Sequence, residues 1–290
     1  MDEKLKAAYI SVVSNTILTL SKIGIGISGK SMAVISEGLH SGIDLLASVI
    51  AAFAIKKALI PPDKDHQYGH AKYENISGVV EALLITIAGG IIVYEAVHKL
   101  IKGSTELHYL DWGIYIMIIS VIANIIVSSY LFKVGRKTDS MALMADGWHL
   151  RTDVYTSLGV LAGLIVIKYT GLVWLDSVVA ILVALWIIWV SFKLLMEAGG
   201  GLTDKALPPE EEELIKSIIL EHYKFFVEFH KLRTRKAGNE RHIDLHLVIK
   251  PDTTTEKAHN LCDHLEKEIN RKLPNCKILI HVEPEKIVLK

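Results

Sequence analysis

Cysteine is nearly absent: Cys262 and Cys276 are the only two in 290 residues, and they do not form a C-x-x-C pair. That excludes a disulfide framework and fits a reducing compartment. Net charge is also absent, with 32 basic residues against 32 acidic ones, so charge balance gives nucleic-acid binding no support. Charge is missing locally as well: no charged residue occurs from Trp112 to Phe132 or from Ser177 to Phe192. The first run is as long as a helix needs to cross hydrocarbon. No cleavable leader is evident. The first apolar stretch, from about Ala7, leads into further spans and lacks a small-residue cleavage site.

What is present is apolar and unevenly distributed. The hydrophobic fraction is 51% and the mean hydropathy +0.35, with polar residues gathered between long apolar runs and at the C-terminal end. The runs predict six membrane helices, at about Ala7–Ser28, Ser31–Leu59, Tyr73–Ile101, Leu110–Phe132, Ser140–Tyr169 and Val173–Glu197. Gly29, Pro61–Pro62, Gly103, Gly135, Gly171 and Gly199–Gly201 fall where helix ends are expected. With the N-terminus inside, the inner segments hold nine Lys/Arg (Lys4, Lys6, Lys56, Lys57, Lys64, Lys72, Lys133, Arg136, Lys137). The outer loops hold four (Lys30, Lys99, Lys102, Lys168). This bias places both termini in the cytoplasm.

Composition changes near Leu202, giving expected domains at 1–201 and 202–290. Pro208–Pro209 followed by Glu210–Glu213 marks a helix start, and an amphipathic helix runs to about His222. Glu228–Lys236 and Arg241–Lys250 read as strands joined by Gly238–Asn239. The second alternates, with Ile243, Leu245, Leu247 and Ile249 on one face and His242, Asp244 and His246 on the other. Thr254–Lys272 reads as a helix capped by a threonine, and Lys277–Val282 as a last strand. The order αββαβ predicts a small α+β sandwich.

Two matching spacings carry the chemistry. The second apolar segment holds His40 and Asp44, and the fifth holds His149 and Asp153. Each pair is His-x-x-x-Asp, which places both side chains on one helix face, one turn apart. If the faces meet, two imidazoles and two carboxylates surround one point, a tetrahedral set suited to zinc and open to other first-row divalent ions. A carboxylate at mid-bilayer depth costs several kcal/mol, and such groups usually mark an ion path. The bland reading is helix–helix hydrogen bonding, which paired spacings of this kind make harder to sustain. Protons and metal compete for the same lone pairs, a ready coupling device. Asn15, Glu37, Asn124 and Asp146 are further polar residues near membrane depth. Between the second and third segments, Asp63, His66 and His70 crowd into eight positions around Gly69 and could close on one cation.

These motifs resemble the cation diffusion facilitator family over nearly the whole chain. The matching pieces are Glu37-Gly-Leu-His40-Ser-Gly-Ile-Asp44, His149-Leu-Arg-Thr-Asp153-Val and the loop from Asp63 to Lys72. The resemblance implies a homodimeric divalent-metal/proton antiporter of the cell (inner) membrane, with six spans and a cytosolic ferredoxin-like metal-binding domain. It assigns transport to His40, Asp44, His149 and Asp153, and a weaker site to Asp63, His66 and His70. It also implies a binuclear site at the domain dimer interface, made by His230, His246, His259, His281 and Glu283. The family often has Asp where this chain has Glu283, and glutamate ligates with a different reach. Lys72 and Asp204 match a buried ion pair that holds the dimer together. Family members with histidine at the first transport position resemble zinc carriers, so the expected substrate is Zn2+, with Fe2+, Co2+, Ni2+, Mn2+ or Cd2+ as alternatives. No enzyme activity is expected. A membrane metalloenzyme would need an activating base beside an open metal position, and no His-Glu-x-x-His occurs. Haem ligation by His40 and His149 is disfavoured by the aspartate one turn from each.

Overall fold

The computed structural model describes residues 2–28, 32–102, 111–170 and 174–285. Side chains at 32–37, 39–40, 99, 102, 111–114, 116–117, 160–170 and 176 lie outside the description, and with them those of Glu37 and His40. Gly29, Gly103 and Gly171 lie outside it too. The described chain divides into two compact units, Met1–Gly199 and Gly200–Lys290.

The first unit is six helices: α1 Glu3–Ser28, α2 Met32–Ala58, α3 Lys72–Lys102, α4 Asp111–Thr138, α5 Met141–Thr170 and α6 Trp174–Leu202. Each has at least 26 residues, about 39 Å of helix, which exceeds the ~30 Å of bilayer hydrocarbon. Among the described residues, α1, α3, α4 and α6 contain stretches long and apolar enough to span a membrane. The other two, α2 and α5, carry the His-x-x-x-Asp pairs; their described side chains run unbroken only over 41–58 and 141–159, and each of these stretches holds three charged residues. Large apolar side chains such as Leu20, Ile87, Ile126, Leu182 and Phe192 are more than half exposed. In a chain this apolar, that is the pattern of a lipid-facing surface.

Gly135 and Gly199–Gly201 lie in the last turns of α4 and α6, near the helix ends as expected. At Gly135 an added Cβ would sit 3.2 Å from both Leu143 Cβ and Met144 Sδ, so the glycine serves the close approach of α4 to the start of α5. Both helices close just beyond these glycines at aspartates in the left-handed region, Asp139 (φ 52°) and Asp204 (φ 57°). Ser140 N–H donates to Gly135 O at 2.9 Å and Lys205 N–H to Gly200 O at 2.9 Å, the closing bonds of a left-handed helix cap.

At one end of the bundle, charge holds α1, α3 and α5 in register. Lys4 Nζ, on α1, donates to Glu74 Oε1 on α3 at 2.6 Å, and the Ser140 hydroxyl before α5 donates to Glu74 Oε2 at 2.5 Å. Lys4 is 5% exposed and Glu74 is fully buried.

The second unit has the expected order: α7 Pro209–Glu221, a 3-10 turn at Tyr223–Phe225, β1 Glu228–Ala237, β2 Glu240–Ile249, α8 Thr255–Lys272 and β3 Cys276–Pro284. Thr254 caps α8 by accepting from Lys257 N–H. The sheet order is β1-β2-β3, antiparallel then parallel, with α8 as the crossover. Ile243, Leu245, Leu247 and Ile249 of β2 are buried in one core with Ile215, Ile218 and Ile219 of α7 and Leu265 and Ile269 of α8. Burying a side chain of this size contributes about 1.5–3 kcal/mol, which makes this row the main support of the unit.

Cys276 lies at the edge of that core, and its thiol donates to Leu273 O at 3.1 Å. Burial pushes its pKa up to about 11, and burial also raises Cys262. Since the thiolate is the reactive species, a maleimide at neutral pH should label the native protein slowly, with Cys262 ahead of the buried Cys276. Denaturant should make both thiols react fast. Rapid native labelling of Cys276, read by peptide mass, would contradict this packing.

Candidate metal centres

The packing of α2 and α5 brings the two spacings together. One ligand atom from each of Asp44, His149 and Asp153 lies within 4.8 Å of the others. His149 Nε2 is 3.2 Å from Asp44 Oδ1. Donors at 2.0–2.1 Å around a tetrahedral ion stand about 3.3 Å apart, so this spacing suits a shared ion. Asp44 is 7% and His149 5% exposed. His149 Nδ1 is buried without a hydrogen-bond partner in the described structure. His40, the fourth expected donor, is on α2 one turn before Asp44, and its side chain lies outside the described residues. Close approach helps here too: at Gly147 a Cβ would sit 2.9 Å from Phe132 Cε1, so glycine lets the aromatic ring of α4 lie against α5 two residues before His149.

Around this group lies a polar cluster that hydropathy does not reveal. The Ser48 hydroxyl, one turn after Asp44, contacts Asp146 Oδ1 at 3.3 Å and Ser11 Oγ at 3.2 Å, and accepts from Asn15 Nδ2. Asn15 and Asp146, singled out in the sequence, therefore belong to one network joining α1, α2 and α5. Lys22 Nζ donates to Ser41 Oγ at 2.7 Å, and Thr19 to Ser41 O at 2.8 Å. Asn124, also singled out, is buried in α4 and is not among these partners or the metal donors. Sequence reasoning missed Glu81. It is fully buried in α3, accepts from Ser77 at 3.0 Å, and exerts its field on His149 and Asp146. A lone glutamate in an apolar run was the available signal.

The loop donors also converge. Asp63 Oδ2 is 3.4 Å from His70 Nε2, and Asp63 Oδ1 is 3.8 Å from His66 Nδ1. Asp63 first shapes the loop: its carboxylate accepts the backbone N–H of His66 at 2.7 Å and of Asp65 at 2.9 Å. The His66 bond leads the effects that hold Asp63 below the ordinary carboxylate pKa. Gly69, at φ 86°, makes the bend that a side chain would strain. His70 Nδ1–H donates to Ile60 O at 3.2 Å, which leaves the Nε2 lone pair to ligate.

In the second unit, three histidines form one row across the sheet: His230 pairs with His246, and His246 with His281. The bulge after His230, with Lys231 at φ 52°, shifts the register beyond that row. Glu283 accepts from His246 Nδ1 at 2.7 Å, and lies 3.5 Å from His230 Nε2 and 3.7 Å from His281 Nε2. The His246 bond is the main reason its pKa falls below the ordinary glutamate value. His259 does not join this row within the chain; its ring faces Asp263 at 3.7 Å on α8. Asp204 accepts from Arg235 Nη1 at 2.9 Å, and Lys72 opens α3 in the other unit. A fourth group, His222, His264 and Glu268, comes together only in the fold.

A buried, acidic, histidine-bearing centre inside a bundle of apolar helices, joined to a histidine-rich α+β unit, defines a membrane transporter of metal cations. Residues 8–203 match the family model of the cation efflux transmembrane domain, and residues 207–285 that of the cation efflux protein cytoplasmic domain. The chain belongs to the cation diffusion facilitator, or cation efflux, family, whose members are multi-pass divalent metal-cation transporters and not enzymes. An uncharacterized transporter of Synechocystis is 33% identical over 263 residues, covering 91% of this chain and 84% of the relative. The manganese efflux system protein MneP of Bacillus subtilis is 29% identical over 286 residues, covering 96% and 95%. A solved structure of the putative zinc transporter CzrB is 43% identical, covering 28% of this chain and 99% of its own, with a TM-score of 0.27.

Proposed function

We propose that this protein is a Zn2+/H+ antiporter of the cell (inner) membrane, working by alternating access through His40, Asp44, His149 and Asp153. The observation that carries the reading is the convergence of Asp44, His149 and Asp153, from helices far apart in sequence, on one buried point. With His40 the donors are two nitrogens and two oxygens, a set that favours zinc, whereas manganese favours oxygen-rich sites. Metal enters from the cytoplasm when the donors are deprotonated. Protons arriving from the other side neutralise the carboxylates, charge the imidazoles and release it. Asp146 and Glu81, both fully buried carboxylates beside this centre, are the groups best placed to carry protons to it.

All six helices of 1–201 are read as spans, with both termini cytoplasmic. Residues 202–290 form the cytosolic domain of a homodimer. There His230, His246, His281 and Glu283, with His259, hold zinc at the domain interface, and Asp63, His66 and His70 hold a weaker ion near the membrane. The Lys72–Asp204 pair is proposed to fasten the dimer where domain and membrane meet; the Arg235 bond to Asp204 is its competitor.

Reconstituted proteoliposomes under an imposed pH gradient, offered zinc, cadmium, iron, cobalt or manganese, test this reading. Zinc should be preferred, and Asp153→Ala should remove its uptake. Preferred uptake of manganese would overturn the ion and keep the transporter. Equal uptake by Asp153→Ala would overturn the site.

A further inference from the structure

We infer a further zinc-class site in the C-terminal unit, made by His222, His264 and Glu268, independent of the transport path and of the histidine row on the sheet. His222 is the C-terminal cap of α7; His264 and Glu268 sit one turn apart on α8. The two imidazoles meet with Nε2 atoms 3.0 Å apart. Glu268 Oε2 is 3.3 Å from His222 Nε2 and 3.7 Å from His264 Nε2. These three separations bracket the ~3.3 Å edge of a tetrahedron with 2.0–2.1 Å bonds, so one ion can reach all three donors with little side-chain movement.

The protonation pattern is already suited to it. His222 Nδ1–H donates to Ile218 O at 3.1 Å, which fixes the tautomer and aims the Nε2 lone pair into the group. Without metal, His264 Nε2–H donates to that lone pair. Metal displaces this proton from Nε2, and the His264 ring, 61% exposed along its side chain, carries it on Nδ1 instead, as the other neutral tautomer. Glu268 turns Oε1 toward Arg271 and Lys272, at 3.7 and 3.9 Å, and Oε2 toward the imidazoles. Two nitrogens and one carboxylate oxygen leave a fourth position for water. The set suits Zn2+ or Co2+ and disfavours Ca2+ and Mg2+, which take oxygen. An ion here ties the end of α7 to the middle of α8, so occupancy stabilises the C-terminal unit.

The test uses the full chain in detergent, stripped with EDTA and dialysed against zinc. His264→Ala and Glu268→Gln should each bind one equivalent fewer per chain than the parent, and zinc should raise their thermal midpoints less. The same loss should occur when His264→Ala is added to Glu283→Ala, which separates this group from the sheet histidines. His264→Cys restores a ligand: with Co2+ it should regain the equivalent and show a thiolate-to-cobalt charge-transfer band. Unchanged stoichiometry in His264→Ala and Glu268→Gln, or no cobalt–thiolate band in a folded His264→Cys protein, would overturn the site and leave a hydrogen-bonded triad.

Discussion

Asp44→Asn is expected to abolish metal transport while leaving the protein at least as stable as the parent. The two effects have opposite signs for one reason. Asp44 is a carboxylate held 7% exposed, where a charge is costly to desolvate. Asparagine keeps the shape and removes that cost, so folding and insertion should not suffer. The same change removes an anionic donor 3.2 Å from His149 Nε2. Loss of groups that merely orient ligands weakens metal sites about 10–100-fold, so loss of a ligand should reduce uptake by at least about a hundredfold. Uptake rates and thermal midpoints on the same preparations check both halves. An Asp44→Asn protein that transports normally would remove Asp44 from the site; one that transports nothing because it aggregates would contradict the stability argument.

The second large effect lies away from the metal. Glu74→Ala should strongly destabilise the helix bundle, because it leaves the Lys4 ammonium, 5% exposed, without its counter-charge and strips Ser140 of an acceptor. Breaking one side of a buried pair costs about 3–5 kcal/mol, mostly from the charge left behind. The double change Lys4→Met with Glu74→Leu removes both charges and should recover most of that loss. Fluorescence-detected size exclusion after heating distinguishes the variants. A Glu74→Ala protein as heat-stable as the parent would mean that Lys4 finds water or another acceptor, and that the pair does not hold α1, α3 and α5 in register. By contrast the exposed Lys137–Glu3 pair, at 2.7 Å, should matter little.

The proposed transport donors stood out in the sequence because they combine rare residue types with helical spacing inside apolar runs. His149 and Asp153 could not be read as a lipid-facing pair at any plausible energy. The αββαβ unit was legible for a related reason: the alternation of Ile243, Leu245, Leu247 and Ile249 fits only a strand with one buried face. Glu81 and the serines at 11 and 48 were not legible, since their meaning depends on which helices pack together, and six amphipathically weak helices have many pairings. Glycine located the ends of α4 and α6 only to within a turn: Gly135, which serves the close approach of α5, and Gly199–Gly201 precede caps set by Asp139 and Asp204. The His222, His264 and Glu268 group was invisible because its members lie up to 46 positions apart, on two helices whose docking only the fold reveals.

The central claim is that one buried centre exchanges metal for protons. It is tested most directly by recording both fluxes at once, in proteoliposomes loaded with a zinc-sensitive dye and a pH-sensitive dye. Zinc added outside should enter while the interior becomes alkaline, the two traces sharing one rate, and Asp44→Asn should show neither change. Zinc entry without proton movement, or both fluxes persisting in the Asp44→Asn protein, would contradict the account.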